Sequence, residues 1–178
     1  ISASHNPFEH NGIKIFNGQG FKLSDALEER IEDIILNGKE VPRKTGADLG
    51  RVVYADAKES QDYIDHLVST ISTDLSGLKI LVDCANGAAS ATAGRLFDRF
   101  DDLHADIINA DPDGVNINSG CGSTHLEGLK AMVKAGNYDL GVAFDGDADR
   151  CLAVDESGEL VDGDKLIAIF ASQLKQEG

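Results

Sequence analysis

Apolar residues recur along this chain at two spacings, and the alternation between them outlines its elements. Gly12-Ile13-Lys14-Ile15-Phe16 has the two-residue period of a half-buried strand, and Asn17-Gly18-Gln19-Gly20 closes it with a turn. Ser24-Asp25 offers a helix start, after which Leu27, Ile31, Ile34 and Ile35 share one helical face. Residues 37–52 mix Gly, Pro and charge without a period and are expected to form a surface connection. A second helix is predicted from Glu59 to Ser72, burying Tyr63, Ile64, Leu67, Val68 and Ile71. From there the pattern becomes regular. Strands are predicted at 78–84, 104–110 and 139–145, with helices at 88–100 and 126–136 between them. Residues 151–160 follow as a strand running into a turn, and Asp164 to Gln176 as a last helix. Short apolar strands separated by helices predict an α/β fold, with a mixed or mostly parallel sheet and right-handed crossovers.

Charge narrows the partners. The 178 residues hold 16 Lys and Arg against 31 Asp and Glu, a net charge of −15. Such a surface repels phosphate backbones and anionic lipid, which argues against nucleic acid and membrane surfaces as partners. No apolar run approaches the ~18 residues of a membrane-spanning helix. Cys84, Cys121 and Cys151 are odd in number and form no C-x-x-C, so a reducing, cytoplasmic setting is expected rather than a disulfide framework.

In a sheet of this kind, ligands sit beyond the carboxyl ends of the strands. There the sequence places Asp145-Gly146-Asp147-Ala148-Asp149-Arg150. Three carboxylates at alternate positions repel one another unless a cation lies among them. An all-oxygen donor set suits a hard ion such as Mg²⁺, with coordination positions left for water or phosphate. An EF-hand would also present Asp145, Asp147, Asp149 and Glu156. It requires Gly where Arg150 stands, however, and helices where strands are predicted. A haloacid-dehalogenase-type phosphatase, with its first Asp as nucleophile, stays open as an enzyme alternative, although Asp149 replaces its usual Thr or Val.

A phosphorylated serine would fill the open coordination positions, since it adds roughly −1.5 to −2 charge and three acceptor oxygens. Ser4 is the candidate, with His5 beside it and Lys14 on the next predicted strand. Cys121 and His125 lack the second ligand pair that zinc needs. Ser123 or Thr124 is instead expected to cap the helix that follows. Residues 83–90 read as a strand-to-helix turn engaged in packing.

Ser2-Ala3-Ser4-His5-Asn6-Pro7, Asn11-Gly12-Ile13-Lys14 and Asp145-Gly146-Asp147-Ala148-Asp149-Arg150, in that order, resemble the three signature motifs of the α-D-phosphohexomutases. Asp113 to His125 is similar to the branch that acts on glucosamine phosphates, and the resemblance covers essentially the whole chain. It implies three-layer α/β/α domains. Residues 1–60 correspond to the C-terminal part of the first domain, 61–159 to the second, and 160–178 to the start of a third. The family's sugar-reading loop and its phosphate-binding fourth domain have no counterpart here, so this stretch alone is expected to be inactive. By resemblance, Ser4 is the phosphoserine and, with Asp145, Asp147 and Asp149, a ligand of Mg²⁺. His5, Lys14 and Arg150 lie close to the transferring phosphate, with either His5 or Lys14 as general acid–base. The implied reaction interconverts glucosamine 6-phosphate and glucosamine 1-phosphate through a 1,6-bisphosphate, supplying UDP-N-acetylglucosamine for cell-wall precursors. Mannose or glucose phosphates are the alternative substrates. The resemblance also implies a homodimer and, in some relatives, association with a diadenylate cyclase.

Overall fold

Ile80 to Asp83 are buried one after another, the mark of a strand covered on both faces. This is β1 (Lys79–Asp83), and the computed structural model, which describes residues 1–52, 54 and 57–177, builds a five-stranded sheet around it. The sheet order is β2-β1-β3-β4-β5, with β2 His104–Ile108, β3 Leu140–Phe144, β4 Cys151–Asp155 and β5 Leu160–Val161. β1 pairs in parallel with both β2 and β3, whereas β3–β4 and β4–β5 are antiparallel. The sheet is therefore mixed, as the sequence allowed.

Helices cover both faces, and the two-residue period of β1 sorts its side chains between them. Ile80 and Val82 pack with Ala89, Ala93 and Phe97 on the side of α3 (Ala93–Phe97). Leu81 joins Leu129 and Val133 of α4 (Glu127–Gly136) and Val154 of β4 on the other. Leu129 and Val133 are fully buried, which stabilises the fold by roughly 1.5–3 kcal/mol each. α4 ends at Asn137, whose positive φ of 51° is the left-handed conformation that Asn tolerates at a helix terminus. Ahead of α3 lies α2 (Ala57–Ser69), with Ile64 fully buried. Arg95 of α3 donates to Ser60 Oγ (2.7 Å) and Gln61 Oε1 (3.0 Å) on α2. α5 (Gly163–Glu177) leaves Ile167, Phe170 and Leu174 exposed. No helix among the described residues is long and apolar enough to cross a membrane.

The chain divides into two units, residues 1–12 with 57–178, and residues 13–56. The second contains α1 (Asp25–Leu36), preceded by a turn in which Phe16 bridges Lys22. Lys22 pairs with Glu28 at 3.0 Å.

The structure departs from the sequence reading in several places. Gly12 to Phe16 is not a strand; it makes only isolated bridges at Gly12 and Phe16, because alternation creates a face but not the partner ladder that a strand needs. Ser24 is the N-cap residue of α1 but makes no side-chain cap bond, and no residue of α1 is buried, Ile35 being 71% exposed. In α2, Tyr63 is exposed rather than buried, and Ile71 lies beyond the helix end and is likewise exposed. Residues 88–100 break into a 3₁₀ turn at Ala88–Ala91 and the five-residue α3, interrupted at Thr92 with φ −124° and ψ −31°. Ser123 and Thr124 do not cap α4; Gly122–Thr124 form a 3₁₀ turn, and Leu126 occupies the cap position.

Candidate functional site

The acidic loop is a hairpin between β3 and β4, closed by the pair Phe144 and Cys151. Inside it, the Asp145 N–H donates to Arg150 O (3.3 Å) and the Ala148 N–H to Asp145 O (3.0 Å), with Ala148 at φ 58°. This tight fold brings one carboxylate oxygen each from Asp145, Asp147 and Asp149 within 4.8 Å of one another. Asp145 is fully buried, Asp147 half-buried and Asp149 exposed, so the trio grades from the protein interior to solvent.

The Ser2–Pro7 loop lies against this hairpin. It is pinned at its base, where Ser2 and Gly12 exchange backbone hydrogen bonds of 3.1 and 2.9 Å. The approach is close enough to require glycine at 146. A Cβ there would stand 2.4 Å from Ser4 O and 2.5 Å from Ile117 Cδ1, well inside contact distance. The Gly146 N–H instead donates to Ser4 O at 2.9 Å. Ser4 itself has φ 53°, in the left-handed region that non-glycine residues seldom occupy.

Its side chain faces the acids. Ser4 Oγ donates to Asp145 Oδ2 at 3.4 Å, longer than an optimal O–H···O bond, and accepts from Arg150 Nη2 at 3.1 Å. Arg150 Nε and Nη2 both lie 3.0 Å from Asp145 Oδ2, and Nε is 3.7 Å from Asp149. The Arg150 N–H donates to Asp145 Oδ1 at 3.3 Å, and its Nη2 also meets His5 Nδ1. A hydroxyl, an imidazole, a guanidinium and three carboxylates thus converge from positions more than 140 residues apart in sequence. Lys14 belongs to the unit of residues 13–56, where it lines a groove with Ile13, Ile15, Lys22 and Glu28.

Two residues of this neighbourhood escaped the sequence reading. Asn118, only 5% exposed, donates through Nδ2 to Ser4 O (2.7 Å) and Asn6 O (2.9 Å). Asp83, at 2% exposure, accepts the Ala85 N–H at one oxygen and the Gly122 N–H at the other, both at 2.9 Å. The available signals were a charged residue ending an apolar strand and an Asn between Ile117 and Ser119 in a loop. Neither signal names its partner. The structure also gives Cys121 an ordinary role. It is buried, and burial, reinforced by the nearby Asp83 charge, pushes its thiol up to about 11, while the same causes push Cys84 to about 12.

Residues 61–158 match the alpha/beta/alpha domain II of phosphoglucomutase/phosphomannomutase, and residues 1–42 match domain I. The chain belongs to the phosphoglucomutase/phosphomannomutase family. Among similar members, phosphoglucosamine mutase of Acetivibrio thermocellus is 54% identical, aligned over 100% of this chain and 39% of its own length. Phosphoglucosamine mutase of Clostridium acetobutylicum is 55% identical, over 100% of this chain and 40% of its own. The chain thus spans about two fifths of the length of these curated relatives. A solved phosphoglucomutase/phosphomannomutase family protein from Burkholderia thailandensis superposes with TM-score 0.69 at 26% identity, covering 99% of this chain and 37% of that one. A second solved structure, from Thermus thermophilus, shares the fold, with TM-score 0.75 at 20% identity over 99% and 40% of the two chains.

Proposed function

We propose that this family chain carries the phosphoserine and metal site of an isomerase that interconverts glucosamine 6-phosphate and glucosamine 1-phosphate. The observation that carries the reading is the position of Ser4 Oγ, 3.4 Å from the buried member of an aspartate trio and 3.1 Å from a guanidinium. Similarity to phosphoglucosamine mutases at 54–55% identity supports the sugar.

In this reading Ser4 bears the phosphoryl group. A sugar hydroxyl oxygen forms the new P–O bond as the bond from phosphorus to Oγ breaks, and the hydroxyl proton passes to His5 or Lys14. The resulting 1,6-bisphosphate turns round; the bond from its other phosphorus to the sugar oxygen breaks as Oγ takes that phosphoryl group, and the proton held by His5 or Lys14 returns to the sugar oxygen. Little covalent work falls to the protein, because phosphoryl transfer depends on alignment and on neutralising charge over the equatorial oxygens. Arg150 neutralises from one side while also fixing Asp145. Asp145, Asp147 and Asp149 would hold Mg²⁺, with Ser4 completing the set; hard carboxylate oxygens within 4.8 Å of one another suit that ion. When bound, the ion supplies positive charge against the phosphoryl oxygens.

The test uses a protein of the relatives' full length that contains this chain. Intact-mass spectrometry should find a phosphate adduct that Ser4→Ala abolishes together with turnover, and an adduct persisting in the variant would sink the assignment. Coupled assays should favour glucosamine phosphates over mannose and glucose phosphates. A homodimer, association with a diadenylate cyclase and a cytoplasmic location complete the proposal on family resemblance, to be read by sedimentation, co-purification and fractionation.

A further inference from the structure

The segment 113–125 has no chemical role in the reading above, yet it reaches the reactive serine. Asn118 anchors there. Its Nδ2 has two protons, and both are used, one on Ser4 O at 2.7 Å and one on Asn6 O at 2.9 Å. Two carbonyl acceptors also fix which way the carboxamide faces, since the opposite orientation would set an oxygen against both.

Ser4 needs such a clamp. A left-handed φ of 53° is strained in a serine and persists only where the surroundings over-determine it. Its carbonyl is held from two sides, by the Gly146 N–H on the acidic hairpin and by Asn118 on a third loop. Asn118 is in turn immobilised. Its N–H donates to Ala85 O at 2.9 Å, and its own φ is 56°. Further along the segment, the buried Asp83 carboxylate receives the Gly122 N–H. A Cβ at 122 would meet Ala85 Cβ at 2.5 Å, so the segment sits tight against the end of β1.

We propose that Asn118 is a positioning residue for the phosphoryl-carrying serine, clamping the carbonyls of Ser4 and Asn6 so that Ser4 Oγ stands in register with the acidic trio. Asn118 acts through the backbone carbonyl of Ser4. The inference rests on the mutase reading of the same site.

Asn118→Asp tests it in the full-length enzyme. Asp keeps the size and the tolerance for positive φ while replacing two donors by an oxygen that faces two carbonyls. The expected result is a fall in kcat on the order of 100-fold, as for an ångström-scale misplacement of a reacting atom. KM for glucosamine 6-phosphate should hold, while the melting temperature falls because a buried carboxylate would face two carbonyls, so kcat is read well below the unfolding transition. Asn118→Gly, which accepts positive φ and removes the carboxamide, should give the same split and stands in if the Asp variant does not fold. Unchanged kcat in both variants, or a KM that rises as far as kcat falls, would overturn the proposal. Ser4→Ala separates the two readings. If it loses the phosphate adduct while the Asn118 variants turn over normally, only this inference fails; if it keeps the adduct, both fall.

Discussion

Asp147→Asn should change the stability of this chain in opposite directions with and without Mg²⁺. At the 4.8 Å that bounds the spacing of the carboxylate oxygens, each like-charge pair costs between about 0.9 kcal/mol in bulk water and about 3.5 kcal/mol at an effective dielectric of 20. Asp147 takes part in two such pairs. Asp149 is exposed and Arg150 pairs with both Asp145 and Asp149, so the lower figure applies, and neutralising Asp147 should relieve about 2 kcal/mol. For a chain of this size that raises the melting temperature in chelator by roughly 4–8 °C. With Mg²⁺ at 100 times the parent's Kd the sign reverses once the substitution weakens binding more than about 30-fold. An ion present at 100 times its Kd stabilises the native state by about 2.7 kcal/mol, and each tenfold loss of affinity removes about 1.4 kcal/mol of that. Differential scanning fluorimetry of the chain and its variant, in chelator and across a Mg²⁺ titration, reads both arms. A variant less stable than the parent in chelator would show that the trio carries no net repulsion. An undiminished Mg²⁺-induced shift would remove Asp147 from the ligand set.

Two further substitutions probe the frame around the site. Tyr138 Oη donates to Asp106 Oδ2 at 2.5 Å, and this bond is the main cause holding the Asp106 carboxyl below its usual value and Tyr138 above its own. A depressed carboxylate contributes stability above its unfolded value and loses it as pH falls through the folded one. Tyr138→Phe should therefore cost about 1 kcal/mol at pH 7, discounted for exposure, and nothing once Asp106 is protonated in acid. Urea unfolding at pH 7 and pH 3 measures this, and an equal loss at both would refute it. Asp83→Asn turns an amide toward backbone N–H groups that now meet a carboxylate, and should lower stability by about 2 kcal/mol in urea titration.

The elements legible in the sequence were those whose pattern and partner are both local. β1, β3 and β4 read directly because buried neighbours require apolar runs, and α4 because Leu129 and Val133 recur at helical spacing. The acidic hairpin announced itself through three like charges that no loop needs. Gly12 to Phe16 misled because its alternation says nothing about a partner, and among the described residues its pairing stops at two bridges. The long helix expected over 88–100 failed on backbone geometry at Thr92, which propensity does not weigh. Asn118 and Asp83 were invisible for a third reason. Their worth lies in backbone groups 114 and 39 residues distant, and a backbone carbonyl or N–H leaves no trace in the letters of a sequence.

β3 is the last strand of the parallel set and β4 turns straight back, so the aspartates stand at the tip of a hairpin and not on a crossover connection. Both stems of that tip are zipped into the ladder, and shifting the backbone of the loop means prying apart rungs of the sheet. The anionic half of the site is in effect masonry, and the serine, hung by its carbonyl from that hairpin and from Asn118, is mortared to it from outside its own loop.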